Sequence, residues 1–390
     1  MELFLVLGAL FLLTFLIGQV VEKIRVPWIF AALLIGTVLA AYNPVGDVTS
    51  SEPFIFLAQM GMYFLLFVIG FEIDLAEFRK AGAFILKSTF FIILLEAVFG
   101  SLLIHFVFGY DWAISAIVAL SFATVGEAIL IPILDEFGIV NTRLGQSIIG
   151  IGTLDDIIEV AMLIVVIMLV GSQGAAQASA GVTLVSLFVL SALAVVLMRL
   201  GKSGRKFMFH GIEMLFLFVL FVLFLFLGVG EYANAGPIAA LLAGISLKAF
   251  VPKERLQAIE SEVKTMCYGF FAPVFFLWVG LSLDIGYLLA FPLLVLAVVV
   301  VSNSAKILGS YIMARKELGT RQSILLGIGL SVRFSTSIII VKILLDNGLI
   351  GAELYSVIVA SSIVFKFVVP VLFSNLLVKW GVSKGSTVAG

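Results

Sequence analysis

The chain has 390 residues, 62% of them hydrophobic and 12% charged, with a formal net charge of −1 and a mean hydropathy of +1.25. No soluble domain can hide that much apolar surface, so the composition is that of a polytopic membrane protein; the near-neutral charge, with no basic tail or patch, excludes nucleic acid as a partner. A lone cysteine, Cys267, excludes an intrachain disulfide, and with only His105 and His210 besides it there is no ligand set for a transition-metal site.

Thirteen apolar segments are predicted, near residues 2–21, 27–42, 53–71, 81–107, 112–134, 144–171, 181–198, 208–228, 236–250, 265–283, 286–313, 322–345 and 353–378. The first begins Met1-Glu2 without a basic leader and reads as a retained span rather than a signal peptide. With the N-terminus outside, the inner loops and the C-terminal tail hold Lys and Arg from Lys23 through Arg143, Arg315 and Lys316 to Lys384, and the outer loops hold none. That is the positive-inside pattern, and it requires an odd number of spans. Lys87, Lys306, Arg333, Lys342 and Lys366 fall within the segments themselves.

The fifth segment carries a polar interruption, Ser121-Phe122-Ala123-Thr124-Val125-Gly126-Glu127, with Pro132 beyond it. The sixth holds three acids in Gly152-Thr153-Leu154-Asp155-Asp156-Ile157-Ile158-Glu159. One acid at the bilayer centre costs about 2.5 to 3.5 kcal/mol even on the lenient scale, so a run of three demands compensation. Asp155 and Asp156 point about 100° apart on a helix and can meet different partners, while Glu159 lies one turn from both. The eleventh segment contains Lys306 within Ser302-Asn303-Ser304-Ala305-Lys306, the best counter-charge for the pair. The twelfth is interrupted by Gly327-Ile328-Gly329-Leu330-Ser331-Val332-Arg333-Phe334-Ser335. Such interruptions suit discontinuous helices whose unwound backbone faces an ion site at the midplane, crossing beside Asp155 and Asp156 with Thr124 among the ligands.

The chain also repeats itself at an offset of about 210 residues. Ala31-Ala32-Leu33-Leu34-Ile35-Gly36 returns as Ala239-Ala240-Leu241-Leu242-Ala243-Gly244, and Phe64 to Gly70, followed by Asp74, returns as Phe275 to Gly280, followed by Asp284. Gly100-Ser101 matches Gly309-Ser310, and Leu134-Asp135 matches Leu345-Asp346. Segments 1–6 therefore correspond to 8–13 with the seventh as connector. Corresponding segments are seven crossings apart, an odd number, so the halves are inverted, as in many secondary transporters. The predicted fold is an all-α polytopic membrane protein of thirteen transmembrane helices: two inverted six-helix repeats, a linker helix, and two crossing discontinuous helices in the core. The first repeat covers 1–172, divided at 80/81, the linker 173–207, and the second repeat 208–390, divided at 285/286.

Each buried charge has a bland alternative. Asp155 and Asp156 could be a structural pair neutralised elsewhere in the bundle, and Lys306 could snorkel, although apolar helix on both sides makes that difficult. Arg333 would stabilise the crossing, paired with Glu127; Glu159 and Glu96 would either tune the cation path or satisfy a helix contact.

On these residues the chain resembles the monovalent cation/proton antiporter family, in the branch of the NapA-type sodium/proton antiporters and the Kef-type potassium systems. The likeness rests on Thr153-Leu154-Asp155-Asp156 in the sixth segment, Ala305-Lys306-Ile307-Leu308-Gly309 in the eleventh and Arg333 in the twelfth. It implies that Asp156 is the principal cation ligand, that Asp155 forms a salt bridge with Lys306, and that both acids ligate Na+. It further implies a scaffold that forms a homodimer (segments 1–3 and 8–10) and a mobile core (4–6 and 11–13). Relatives commonly have Arg-Gly-Glu where this chain has Arg333-Phe334-Ser335, and Glu127 is the candidate for the missing acid. The chain ends shortly after the last segment, which implies no regulatory domain of the Kef type.

The expected function is secondary transport rather than catalysis, exchanging Na+ (or Li+) for protons without a cofactor, electrogenically at two protons per Na+. Potassium/proton exchange on the same scaffold is the nearest alternative; a sodium-coupled organic-anion symporter and a channel-like protein are others. Short termini and basic loops suit a prokaryotic cytoplasmic membrane, with the C-terminus inside.

Overall fold

Apolar runs bounded by Gly, Pro and charged residues become helices in the computed structural model, which describes residues 2–23, 27–72, 82–126, 130–174, 180–203, 211–232, 235–251, 253–333 and 335–382. Among the described residues there is no strand. In chain order the helices are α1 (Glu2–Lys23), α2 (Phe30–Ala41), α3 (Gly46–Thr49), α4 (Glu52–Glu72), α5 (Ala83–Leu103), α6 (Trp112–Phe122), α7 (Ile131–Glu136), α8 (Arg143–Gly174) and α9 (Ala180–Ser203). They continue as α10 (Ile212–Glu231), α11 (Gly236–Phe250), α12 (Lys253–Met266), α13 (Ala272–Leu281), α14 (Ile285–Ala290), α15 (Pro292–Gly329), α16 (Ser335–Asp346) and α17 (Ala352–Trp380). Among the described residues seven helices are long and apolar enough to cross a membrane, and their outward residues, such as Phe4, Leu5 and Phe15, are exposed hydrophobics of the kind lipid covers.

Three predicted segments differ from the helices observed. The tenth starts twelve residues early: α12 is amphipathic, burying Ile259 and Val263, and runs through a π-turn at Cys267–Phe271 into α13. The eleventh and twelfth are hydrogen-bonded as one element, yet Gly319 lies at φ 76°, ψ 171°, so the chain bends there and residues 292–318 and 320–329 are separate rods. Only glycine takes that conformation at no steric cost. Within the fifth segment, where the sequence places a polar interruption, α6 ends at Phe122 and α7 begins at Ile131.

The chain divides into two compact units. One comprises residues 1–16, 29–73 and 164–281. Here α2 lies on α13 and α4 on α11 at backbone contact: a Cβ on Gly36 would stand 2.3 Å from the Leu277 carbonyl oxygen, and one on Gly244 would stand 2.2 Å from that of Phe67. Small residues of this kind let helices approach closely where lipid removes the hydrophobic drive between them. Lys264 ties this unit's polar end, 2.6 Å from Glu72 and 2.7 Å from Glu260.

The other unit comprises residues 17–28, 74–163 and 282–390. In it α15 packs against α5 and α17. Its apolar core includes Leu130, Leu134, Ile148, Leu326 and Phe373, which surround the two helix breaks. Every described residue of the candidate site lies in this unit.

Candidate functional site

Two helices of the second unit unwind within apolar surroundings. After Phe122 the chain runs through Ala123-Thr124-Val125-Gly126, and after Gly329 through Leu330-Ser331-Val332-Arg333. Thr, Val and Gly are poorer helix formers than the Leu and Ala around them, which locates the breaks but does not stabilise them. Each freed N–H or C=O in a nonaqueous interior costs several kcal/mol unless it finds a partner. Most of the partners come from charged side chains.

The Val125 N–H donates to Asp155 Oδ2 at 2.6 Å, and the Gly126 N–H donates to the Val332 carbonyl at 2.7 Å, so the two unwound stretches cross in hydrogen-bonded contact. Lys306 serves both: its Nζ donates at 2.7 Å to the Thr124 carbonyl and at 2.7 Å to the Leu330 carbonyl. Those carbonyls end α6 and the last rod of α15, where helix dipoles place negative partial charge that an ammonium neutralises. The Ser331 hydroxyl donates within 2.8 Å of Asn303 Oδ1, tying the second break back to α15.

Behind Lys306 lies a second layer of charge. Glu96, from α5, places Oε2 3.4 Å from Lys306 Nζ and Oε1 3.5 Å from an Arg333 guanidinium nitrogen. The Ser302 hydroxyl donates to Glu96 Oε1 and accepts from Arg333 at 2.6 Å. The guanidinium is held between two rings, 4.8 Å from the centroid of Phe122 and 4.4 Å from that of Phe365. Glu96, Lys306 and Arg333 are all 0% exposed, so bulk solvent does not screen the attraction between them.

Among the sequence-predicted residues, Asp155, Lys306 and Arg333 thus converge on the crossing. Asp155 is buried, and its charge acts on Lys306. Thr124 contributes its carbonyl to Lys306, while its buried hydroxyl has no hydrogen-bond partner among the described residues. Asp156 is half-buried beside Asp155, and Glu159 is buried one turn further along α8. Glu127 lies outside the described residues. Among those described, no group of three or more His, Cys, Asp or Glu side chains forms a multidentate metal cage.

The acid that meets Arg333 among the described residues is Glu96, which sequence reasoning had left between a tuning role and a helix contact. Its signal was present, an unaccompanied acid deep in the apolar run 83–108, but its partners lie more than two hundred residues away. Ser302 and Phe122 stand in motifs that the sequence singles out, but nothing in it marks them, or Phe365, as the groups that hold Arg333.

The arrangement brings a carboxylate, an ammonium and a hydroxyl oxygen that is unpaired among the described residues to the meeting of two broken helices. The sequence profile of the family described as "Sodium/hydrogen exchanger, transmembrane" matches residues 9–379. The chain is 25% identical over 370 residues to the protein named Probable Na(+)/H(+) antiporter 3 of Methanocaldococcus jannaschii, covering 93% of this chain and 94% of that one. It is 24% identical over 374 residues to the Na(+)/H(+)-K(+) antiporter GerN of Bacillus cereus, covering 95% of each. The solved structure of the sodium proton antiporter MjNhaP1 from Methanocaldococcus jannaschii at pH 8 matches with a TM-score of 0.67 at 17% identity, over 96% of this chain and 99% of that one; this likeness shows the fold.

Proposed function

The chain belongs to the sodium/hydrogen exchanger transmembrane family, and on that premise we propose that it is a secondary active transporter exchanging Na+, and also Li+, for protons by alternating access. The observation that carries the reading is the buried crossing itself, where Asp155 and Lys306 hold two unwound helices together and the Thr124 hydroxyl has no partner among the described residues.

Asp156 and Asp155, with Thr124, are the cation and proton ligands. A dehydrated alkali cation binds only ionised carboxylate; burial disfavours that form and a neighbouring ammonium favours it, so cation and proton exclude each other. Movement of the core only when its acids are neutralised by one or the other makes exchange obligatory. Asp156 exchanges one proton for the cation, and Asp155 takes a second when its interaction with Lys306 is released. Two protons per Na+ move net charge, which couples the cycle to membrane potential by about 2.3 kcal/mol per charge per 100 mV.

Thirteen spans in two inverted repeats supply the two related conformations. The reciprocal glycine contacts support that symmetry: exchanging the repeats turns Gly36 into Gly244 and Gly280 into Gly70, and so carries the α2–α13 contact onto the α11–α4 contact. Residues 1–80 and 208–285 form the scaffold of a homodimer, and 81–172 and 286–390 the moving core, in a prokaryotic cytoplasmic membrane with the C-terminus inside.

A second reading, K+/H+ exchange on the same residues, draws on the relative named Na(+)/H(+)-K(+) antiporter and on the glutathione-regulated potassium-efflux protein KefC of Klebsiella pneumoniae, 25% identical over 276 residues. Dye-quench measurements in proteoliposomes with Na+, Li+ and K+ over a pH series separate the two. Asp156→Asn is expected to abolish cation-driven proton flux, and flux like that of the parent overturns the assignment.

A further inference from the structure

In the second unit, α5 and the first rod of α15 frame a groove of about 480 Å3. Leu86, Lys87, Phe90, Phe91 and Leu94 line it from α5, and Met313 from α15. The five α5 positions recur at helical spacing and make one stripe, while the reverse of the helix buries Thr89, Ile92 and Glu96. Phe90 is 53% and Leu94 62% exposed, so the groove opens outward, away from the crossing. An outward apolar furrow on a membrane-spanning chain is filled by lipid, and the charge at its rim selects which lipid.

The two helices run antiparallel, and their register fixes that rim. Gly309 lies against Ile92, where an added Cβ would stand 3.2 Å from the isoleucine side chain, so the helices touch at that level. Met313, one turn along α15, meets the α5 stripe in the groove, and a further turn on Glu317 and Leu318 share a neighbouring cavity with Phe84 and Ile85. Arg315 and Lys316 therefore stand level with Lys87, and all three are exposed. The Arg315 guanidinium is held 5.2 Å from the centroid of the Tyr311 ring. Among the described residues none of the three cations is within salt-bridge distance of an acid, and the neighbouring Glu317 stands 4.0 Å from Arg143 instead. The rim is positive.

We propose that this groove binds one anionic phospholipid, with an acyl chain lying along Phe90, Phe91, Leu94 and Met313 and the phosphate between Lys87 and the Arg315–Lys316 pair. The depths agree. Lys87 is about 6 Å of rise from the start of α5 and Leu94 about 10 Å further, so the stripe runs from headgroup level to near the midplane of a hydrocarbon layer about 30 Å thick. The Lys87 stem lies on the apolar wall while its ammonium reaches the headgroups. A zwitterionic headgroup would bring its own cation against three others, whereas an acidic one meets them with net negative charge.

The test equilibrates the full chain in detergent with an equimolar mixture of phosphatidylglycerol and phosphatidylcholine of identical acyl chains, and counts the lipids it retains by native mass spectrometry. One phosphatidylglycerol held in preference to phosphatidylcholine is the expected result. Lys87→Gln and Lys316→Gln should each weaken that retention about fivefold. Leu94→Trp, which fills the deep end of the groove, and Phe90→Ala, which removes its wall, should weaken it as much without altering charge. All four positions are exposed, and an unfolding temperature like the parent's in lipid-free detergent verifies that each variant folds. Equal retention of the two lipids by the parent overturns the proposal, as does phosphatidylglycerol retention that survives either lysine change. Retention that survives both groove variants overturns it too, since surface charge alone would then attract the lipid. The readout requires no transport and so stands apart from the exchange reading.

Discussion

Removing the Glu96 charge is the sharpest probe of how the crossing is held. Its two contacts, 3.4 Å to Lys306 and 3.5 Å to Arg333, lie where all three side chains are shielded from solvent. At an effective dielectric of about 20, each contact corresponds to roughly 4–5 kcal/mol of attraction, most of it offset by the cost of desolvating the ions. Glu96→Gln does not return that cost. It leaves Lys306 and Arg333 buried with one fewer acid between them, and breaking a buried pair in this way destabilises by about 3–5 kcal/mol. The substitution keeps the shape and one acceptor for the Ser302 hydroxyl, so the loss reports charge. Unfolding of the purified protein in mixed micelles measures it, alone and combined with Arg333→Gln. The double variant restores the balance between acids and bases, so it should cost at least about 2 kcal/mol less than the sum of the two singles. A Glu96→Gln protein within about 0.5 kcal/mol of the parent, or additive losses in the double variant, would refute the reasoning.

Other expectations follow from individual contacts. Thr124→Val deletes a buried hydroxyl that has no hydrogen-bond partner among the described residues, so stability should hold or rise slightly while the KM for Na+ increases about tenfold, a difference of about 1.4 kcal/mol; a KM like the parent's removes Thr124 from the ligand set. Asp155→Asn should reduce or abolish the net charge moved per cycle, read as current on solid-supported membranes, and undiminished current assigns the second proton elsewhere. Gly244→Ala forces a methyl against the Phe67 carbonyl, 2.2 Å away, and should cost about 1–3 kcal/mol as α4 and α11 part. Thermal unfolding in detergent that leaves this variant unchanged would mean the helices separate without cost.

Composition and segment pattern alone were enough for the all-helical membrane class, because burial in lipid leaves a chain few options: long apolar helices, charges kept to the ends, and any acid within a span an exception; the family needed the Asp155–Asp156 pair, Lys306 and Arg333 as well. The same economy made the interruptions after Phe122 and Gly329 legible, since Thr, Gly and Ser clusters amid Leu, Ile and Phe stand out in one dimension. Gly319 was harder to read, because a glycine at positive φ and one inside a helix look alike until the backbone is seen.

Partnership was decided only in three dimensions. Ser302 and Glu96 are 206 residues apart, and Lys306 reaches one carbonyl 182 residues before it and another 24 residues after it. Nothing in a linear pattern of apolar positions specifies which acid meets which base, because electrostatic attraction depends on distance through space and on the exclusion of water. Both are set by how α5, α8, α15 and the two breaks pack.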